Sequence, residues 1–148
     1  MRFLMTQSLL ASWQYQWSDF EKYGEKAEEF QEKAEKDFLS ILRRERIPTN
    51  EDMQRGIDFE KLVTDICFGC RAVENSWYEA AKEIACDVKG GQFQLVATKN
   101  VSVAGLDFLL YGRIDCLKAG VISDIKFSGS YTVGKFFESP QHPMYMEL

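Results

Sequence analysis

Residues 108–127 read FLLYGRIDCLKAGVISDIKF. Apolar runs from Phe108 to Cys116 and from Val121 to Phe127 flank Lys118-Ala119-Gly120. β-Branched, aromatic and aliphatic residues fill both runs, which predicts strands, and the small-residue break predicts a tight turn. The pair therefore reads as an antiparallel hairpin. Asp124 and Lys126 are two apart, so they share one face, while Ile125 faces apolar packing. Asp115 lies near the end of the preceding run. Two acids and a lysine at one end of a hairpin are costly to bury unless each finds a partner. A hard divalent cation would hold the carboxylates through oxygen, with Lys126 placed to orient water or offset charge on a phosphate. A cross-strand ion pair of Lys126 with Asp115 or Asp124 accounts for the hairpin alone equally well.

The pattern changes on either side of this hairpin. Gln92 to Val96 predicts a further strand, with breaks near Asn100 and at Gly105. Residues 1–88 read as helical. Ser18-Asp19-Phe20-Glu21 has capping-box spacing, and Phe20, Tyr23, Ala27, Phe30, Ala34, Phe38 and Ile41 recur at helical spacing after it. Pro48 ends that pattern. Thr49 then caps a second predicted helix with the stripe Met53, Ile57, Leu62, Val63, Ile66 and Cys70. A shorter helix follows Asn75 or Ser76, with Trp77, Ala80, Ala81 and Ile84 inward, and Lys89-Gly90-Gly91 ends this half. A last helix is predicted near Ser139-Pro140, proline suiting a first helical position. The fold class is thus α/β or α+β: N-terminal helices over 1–88, then a mixed sheet of at least three strands and a final helix over 89–148, in one domain.

Bulk properties fit that frame. The 148 residues are 45% hydrophobic and 28% charged, which suits one domain with one core rather than a disordered chain. No apolar run is long enough to span a bilayer, and the N-terminus lacks a signal-peptide core, so the expectation is a cytoplasmic protein without a membrane partner. Net charge is −5, whereas nucleic-acid binders are usually basic. Residues 19–37 hold eight acids and four bases, so this one segment accounts for −4 of that charge. Its acidic side reads as a solvated helix face. Arg43, Arg44 and Arg46 suit the electrostatics of a helix end, with a contact to phosphate as the alternative reading.

Further segments shift the balance between these two readings of the hairpin. Gly112-Arg113-Ile114-Asp115 followed by Ser123-Asp124-Ile125-Lys126 resembles the PD-(D/E)XK nuclease superfamily, in its RecB-like and phage-exonuclease branch. Gln141-His142-Pro143-Met144-Tyr145 is similar to the branch's Gln-x-x-x-Tyr motif. Gly56-Ile57-Asp58-Phe59-Glu60 is similar to its upstream helix motif, and Met5 to Leu10 to its opening segment. The ordered motifs span nearly the whole chain. The resemblance implies a restriction-endonuclease-like core and Mg²⁺-dependent hydrolysis of DNA, with Mn²⁺ as substitute. It implies Glu60, Asp115 and Asp124 as metal ligands, with the Ile125 carbonyl. Lys126 is implied as the catalytic lysine, with Gln141 and Tyr145 positioning it, the metal or the phosphate. DNA contacts are implied at Gly56, Arg113, Ser128, Tyr131 and Lys135. In the family the Gln-x-x-x-Tyr helix runs on, whereas this chain stops three residues past Tyr145. A domain incomplete at its C-terminus, or completed by another subunit in a homo-oligomer, is the resulting expectation.

Other chemistries find less support. Cys67 and Cys70 have metal-ligand spacing, but the iron–sulfur pattern of RecB-like nucleases needs three cysteines after the Gln-x-x-x-Tyr motif, and none occurs there. Neither an iron–sulfur cluster nor a zinc site is expected, and all four cysteines are read as free thiols. His142 is the sole histidine, and no nucleophile motif accompanies it. Three functional readings follow: a DNA nuclease, exonuclease before endonuclease, of phage or mobile-element recombination; a non-catalytic nucleic-acid-binding or assembly module on the same fold; and, more weakly, an unrelated metal- or thiol-based structural protein.

Overall fold

The computed structural model describes residues 1–148 except Ile47, Ala72, Tyr131 and Lys135. Among the described residues the chain is α+β, with five α-helices and a mixed four-strand sheet. Strand β1 (Arg2–Thr6) leads into α1 (Gln7–Tyr15), and a 3₁₀ turn (Glu21–Lys26) precedes α2 (Ala27–Leu42). Helices α3 (Glu51–Cys67) and α4 (Tyr78–Val88) follow, then β2 (Gln92–Val103), β3 (Leu106–Lys118), β4 (Val121–Ser123) and α5 (Gln141–Glu147). The sheet order is β1-β3-β2, with β4 also on β3. β1 runs parallel to β3, from Arg2 opposite Asp107 to Thr6 opposite Tyr111. β4 runs antiparallel to it, with Cys116 opposite Ser123 and Lys118 opposite Val121. No helix among the described residues is long and apolar enough to cross a membrane.

The residues sort into two compact units. The first comprises Met1–Ile47, Ala97–Gly112 and Phe136–Leu148. Within it α1 packs on α2, burying Phe20 and Ala34, and Met144 of α5 is buried as well. The second comprises Pro48–Val96 and Arg113–Lys135. Its core is Phe59, Leu62 and Val63 of α3 against Ala81, Ala85 and Val88 of α4, with Cys116 of β3. The two alanines let the helices approach closely, as ridge-and-groove packing requires. Ile125 and Phe127 pack against this core.

Several boundaries differ from the sequence expectation. Residues 1–88 are not helical throughout, because Arg2–Thr6 is a strand. Its partner, β3, lies far along the chain, so no local period announces it. The capping box at Ser18 is not formed: Asp19 Oδ1 accepts from the Glu21 N–H at 2.9 Å. Gly24 then adopts φ 58°, ψ −127°, a conformation that only glycine reaches cheaply, and it splits the expected long helix into a 3₁₀ turn and α2. The cap of α3 is Asn50, whose Oδ1 accepts from the Met53 N–H at 2.8 Å, rather than Thr49. The expected stripe of α3 holds at Leu62 and Val63, which are buried, but not at its first two members. Phe59 is buried while Met53 and Ile57 are 47% and 52% exposed, because packing on α4 selects one of two apolar faces. On α4, Ala80 is exposed where an inward position was expected.

β2 continues through Asn100 and turns at Ala104-Gly105. Both turn residues have positive φ, 51° and 79°. Ala119 and Gly120, between β3 and β4, have φ 50° and 80°. Such two-residue turns match the twist of a hairpin. The last expected strand ends at Ser123 rather than Phe127. Beyond Ser123 the backbone finds a side-chain partner instead of a ladder, and that exchange begins the candidate site.

Candidate active site

Asp115 stands on β3, one residue before the Cys116–Ser123 pair. Its Oδ2 accepts from the Ile125 N–H at 2.9 Å. The carboxylate thus replaces a strand partner for the segment carrying Asp124 and Lys126. That segment keeps strand-like alternation without being a strand. Phe127 lies between two rings, 5.3 Å from Phe59 and 4.8 Å from Trp77 centroid to centroid. Ile125 joins the same core. With the odd positions anchored inward, Asp124 and Lys126 are presented together on the other side. Lys126 Nζ donates to Asp124 Oδ1 at 2.9 Å, and the two side chains are 46% and 23% exposed. The Ile125 carbonyl was expected as a ligand; what the structure engages is its N–H.

Glu60 reaches this neighbourhood from α3. Burial is the main cause pushing its carboxyl above the usual carboxylate range. Asp115 and Asp124 push it further, while Arg113 and Lys126 pull it back. The Asp115 carboxyl is likewise raised, chiefly by burial and then by Asp124, against the Ile125 N–H and Lys126. Glu60, Arg113, Asp115, Asp124 and Lys126 therefore share one electrostatic neighbourhood within the second unit. Its three acids outnumber its two bases, which favours a cation.

A residue that the sequence reading missed completes the set. Gln94 Nε2 donates to Glu60 Oε1. Gln94 has φ 53° inside β2, a conformation rare for residues other than glycine, and its Oε1 is buried with no hydrogen-bond partner among the described residues. The strand expected over Gln92 to Val96 does not single out Gln94. Nothing in the residue type announces a left-handed backbone there.

The donor chemistry suits a hard divalent ion: carboxylate oxygens in mutual repulsion, with an orphaned amide oxygen on the residue that holds Glu60. Among the described residues, however, no three histidine, cysteine or acidic side chains are drawn together tightly enough to hold an ion as they stand. Glu60 is tied to Gln94, Asp115 to Ile125 and Asp124 to Lys126.

Gln141 and Tyr145 belong to the first unit. Gln141 is buried, and its N–H donates to Ser139 Oγ at 3.3 Å. Tyr145 packs over Gly112, where an added Cβ would lie 3.0 Å from its ring and closer still to Leu148. Gly56 lies one helical turn before Glu60, and a Cβ there would meet nothing within 4 Å. Ser128 Oγ donates to the Ser130 carbonyl at 2.6 Å, closing the turn after Phe127. Tyr131 and Lys135 lie outside the described residues. Cys67 and Cys70 do not stack one turn apart on a helix: Cys67 ends α3, with Sγ 3.5 Å from the Ala85 carbonyl, and Cys70 lies beyond it, exposed.

No family model, no curated protein and no solved structure matches the chain.

Proposed function

We propose that this protein is a metal-dependent DNA nuclease with a restriction-endonuclease-like core, of the RecB-like and phage-exonuclease kind, acting in the cytoplasm. One observation carries the reading. Glu60, Asp115, Asp124 and Lys126 come from three separate segments, in the order the resemblance requires, and share one charged neighbourhood. Glu60, Asp115 and Asp124 would hold Mg²⁺, or Mn²⁺ in its place, and the ion would there lower the pKa of water and offset charge on the phosphate. Lys126 supplies a cation whose Nζ is fixed by Asp124 and half open to solvent, placed to meet a developing negative charge. The Ile125 N–H holds Asp115 in one orientation, and Gln94 does the same for Glu60. Arg113, exposed beside Glu60, is suited to a phosphate contact.

The test is hydrolysis of end-labelled single- and double-stranded DNA with Mg²⁺ or Mn²⁺. Asp124→Ala and Lys126→Ala should each lower the rate by about 100-fold or more. Cleavage unchanged in both variants would reject the proposal. The non-catalytic module is favoured by one observation, that each carboxylate is already tied to a donor within the protein. It expects DNA binding without turnover under any divalent ion.

A further inference from the structure

The first unit contains a cavity of about 810 Å³ formed by β1, α1, the end of α2 and β3. Its half-buried floor is apolar, with Leu4, Leu9, Ile41 and Phe108 among the lining. Its exposed rim is different: Arg2, Phe3, Trp13, Leu42 and Arg44. Phe3 is 42% and Trp13 49% exposed. Large rings left this open in a chain with ample polar residues mark a contact surface. Among the described residues no aspartate or glutamate lines the cavity, although the chain has 23 acids and a net charge of −5. An opening with two guanidinium groups and no carboxylate selects for an anion. Flat rings flanked by arginines suit a chain whose anionic groups alternate with flat aromatic faces.

We infer that this groove takes single-stranded nucleic acid, with bases stacked on Trp13 and Phe3 and phosphates paired to Arg2 and Arg44. Stacking is tolerant of sequence because every base offers a π-face, and a guanidinium meets phosphate with a matching fork. A duplex hides its base faces, so the groove prefers an unpaired strand or strand end. The choice of a nucleic acid over other amphipathic anions rests on the nuclease reading above. The binding itself requires neither a metal ion nor the Asp115–Lys126 segment.

The experiment measures binding of a fluorescein-labelled twelve-nucleotide oligothymidylate to the full chain in EDTA, by anisotropy, with Trp fluorescence read in parallel. Trp13→Leu and Arg2→Gln/Arg44→Gln should each weaken binding by about tenfold or more, and Trp13→Phe should retain it. The slope of log affinity against log salt should be about −1.4 for two phosphate contacts, and smaller in magnitude for Arg44→Gln. Thermal unfolding of each variant identifies loss of fold, and the Trp13→Leu and Trp13→Phe comparison separates stacking from packing. Binding unchanged in these variants, an abasic strand bound as tightly as the oligothymidylate, or no binding at all would overturn the inference. So would a leucine-rich acidic helical peptide that displaces the strand, because the groove would then be a protein-docking surface. Binding without any cleavage in Mg²⁺ would leave this inference standing and sink the nuclease proposal; cleavage with Trp13-independent binding would do the reverse.

Discussion

Asp115 shows how much one side chain settles. Its carboxylate takes the Ile125 N–H at 2.9 Å, so the strand ends where the site begins. The arrangement has an electrostatic cost that pH should reveal. Burial and the Asp124 charge hold the Asp115 carboxyl above its ordinary range, so at intermediate pH the folded chain holds a proton that the unfolded chain has released. Stability therefore falls as pH rises through the folded-state value and recovers as pH drops toward the ordinary carboxylate range. Asp115→Asn keeps an acceptor for Ile125 and removes the charge. Without divalent ions this variant should unfold at a higher urea midpoint than the parent at neutral pH, and the gap should close on acidification. A lower midpoint at neutral pH, independent of acidity, would contradict this. Gln94 belongs to the same scale. Its hydrogen bond to Glu60 and its positive φ depend on neighbours that no local pattern encodes.

At the scale of elements, the glycine of Gly112-Arg113-Ile114-Asp115 acquires a steric reason. It is buried on β3 under the Tyr145 ring and Leu148. Gly112→Ala drives a methyl into that contact, and overpacking of this kind costs about 1–3 kcal/mol. A urea titration should show that loss, with partial rescue by Gly112→Ala/Tyr145→Ala; a neutral Gly112→Ala would remove the reason. The hairpin of β3 and β4 and its tight turn were legible in the sequence because apolar alternation and Ala119-Gly120 are local signals. The odd–even division of Asp124, Ile125, Lys126 and Phe127 was legible for the same reason, and it holds past the strand's end because Phe127 is clamped between Phe59 and Trp77. β1 was not legible, since a five-residue strand paired to a distant partner leaves no period. The break at Gly24 was hidden by an apolar stripe that continues on both sides of it. On α3 the stripe was legible at Leu62 and Val63, whereas Met53 and Ile57 are exposed and Phe59 is buried, because apolar residues occur on more than one side and only packing on α4 chooses.

At the scale of the whole molecule, charge is distributed by task. The acid-rich stretch from Asp19 to Asp37 is largely exposed and accounts for most of the net charge of −5. Within the second unit, Glu60, Asp115 and Asp124 repel one another. In the first unit Arg2 and Arg44 line a groove with no acid among its described lining residues. An acidic total therefore says little against a nucleic-acid partner, because most of it comes from the one exposed stretch between Asp19 and Asp37. The central claim is that Glu60, Asp115 and Asp124 close on a divalent ion beside Lys126. Anomalous scattering from crystals grown with Mn²⁺ tests it most directly. A single strong peak is expected within coordination distance of oxygens from all three residues, absent in Asp115→Asn/Asp124→Asn crystals of the same form. No peak at these carboxylates in saturating Mn²⁺, or a peak that survives the double substitution, would contradict it.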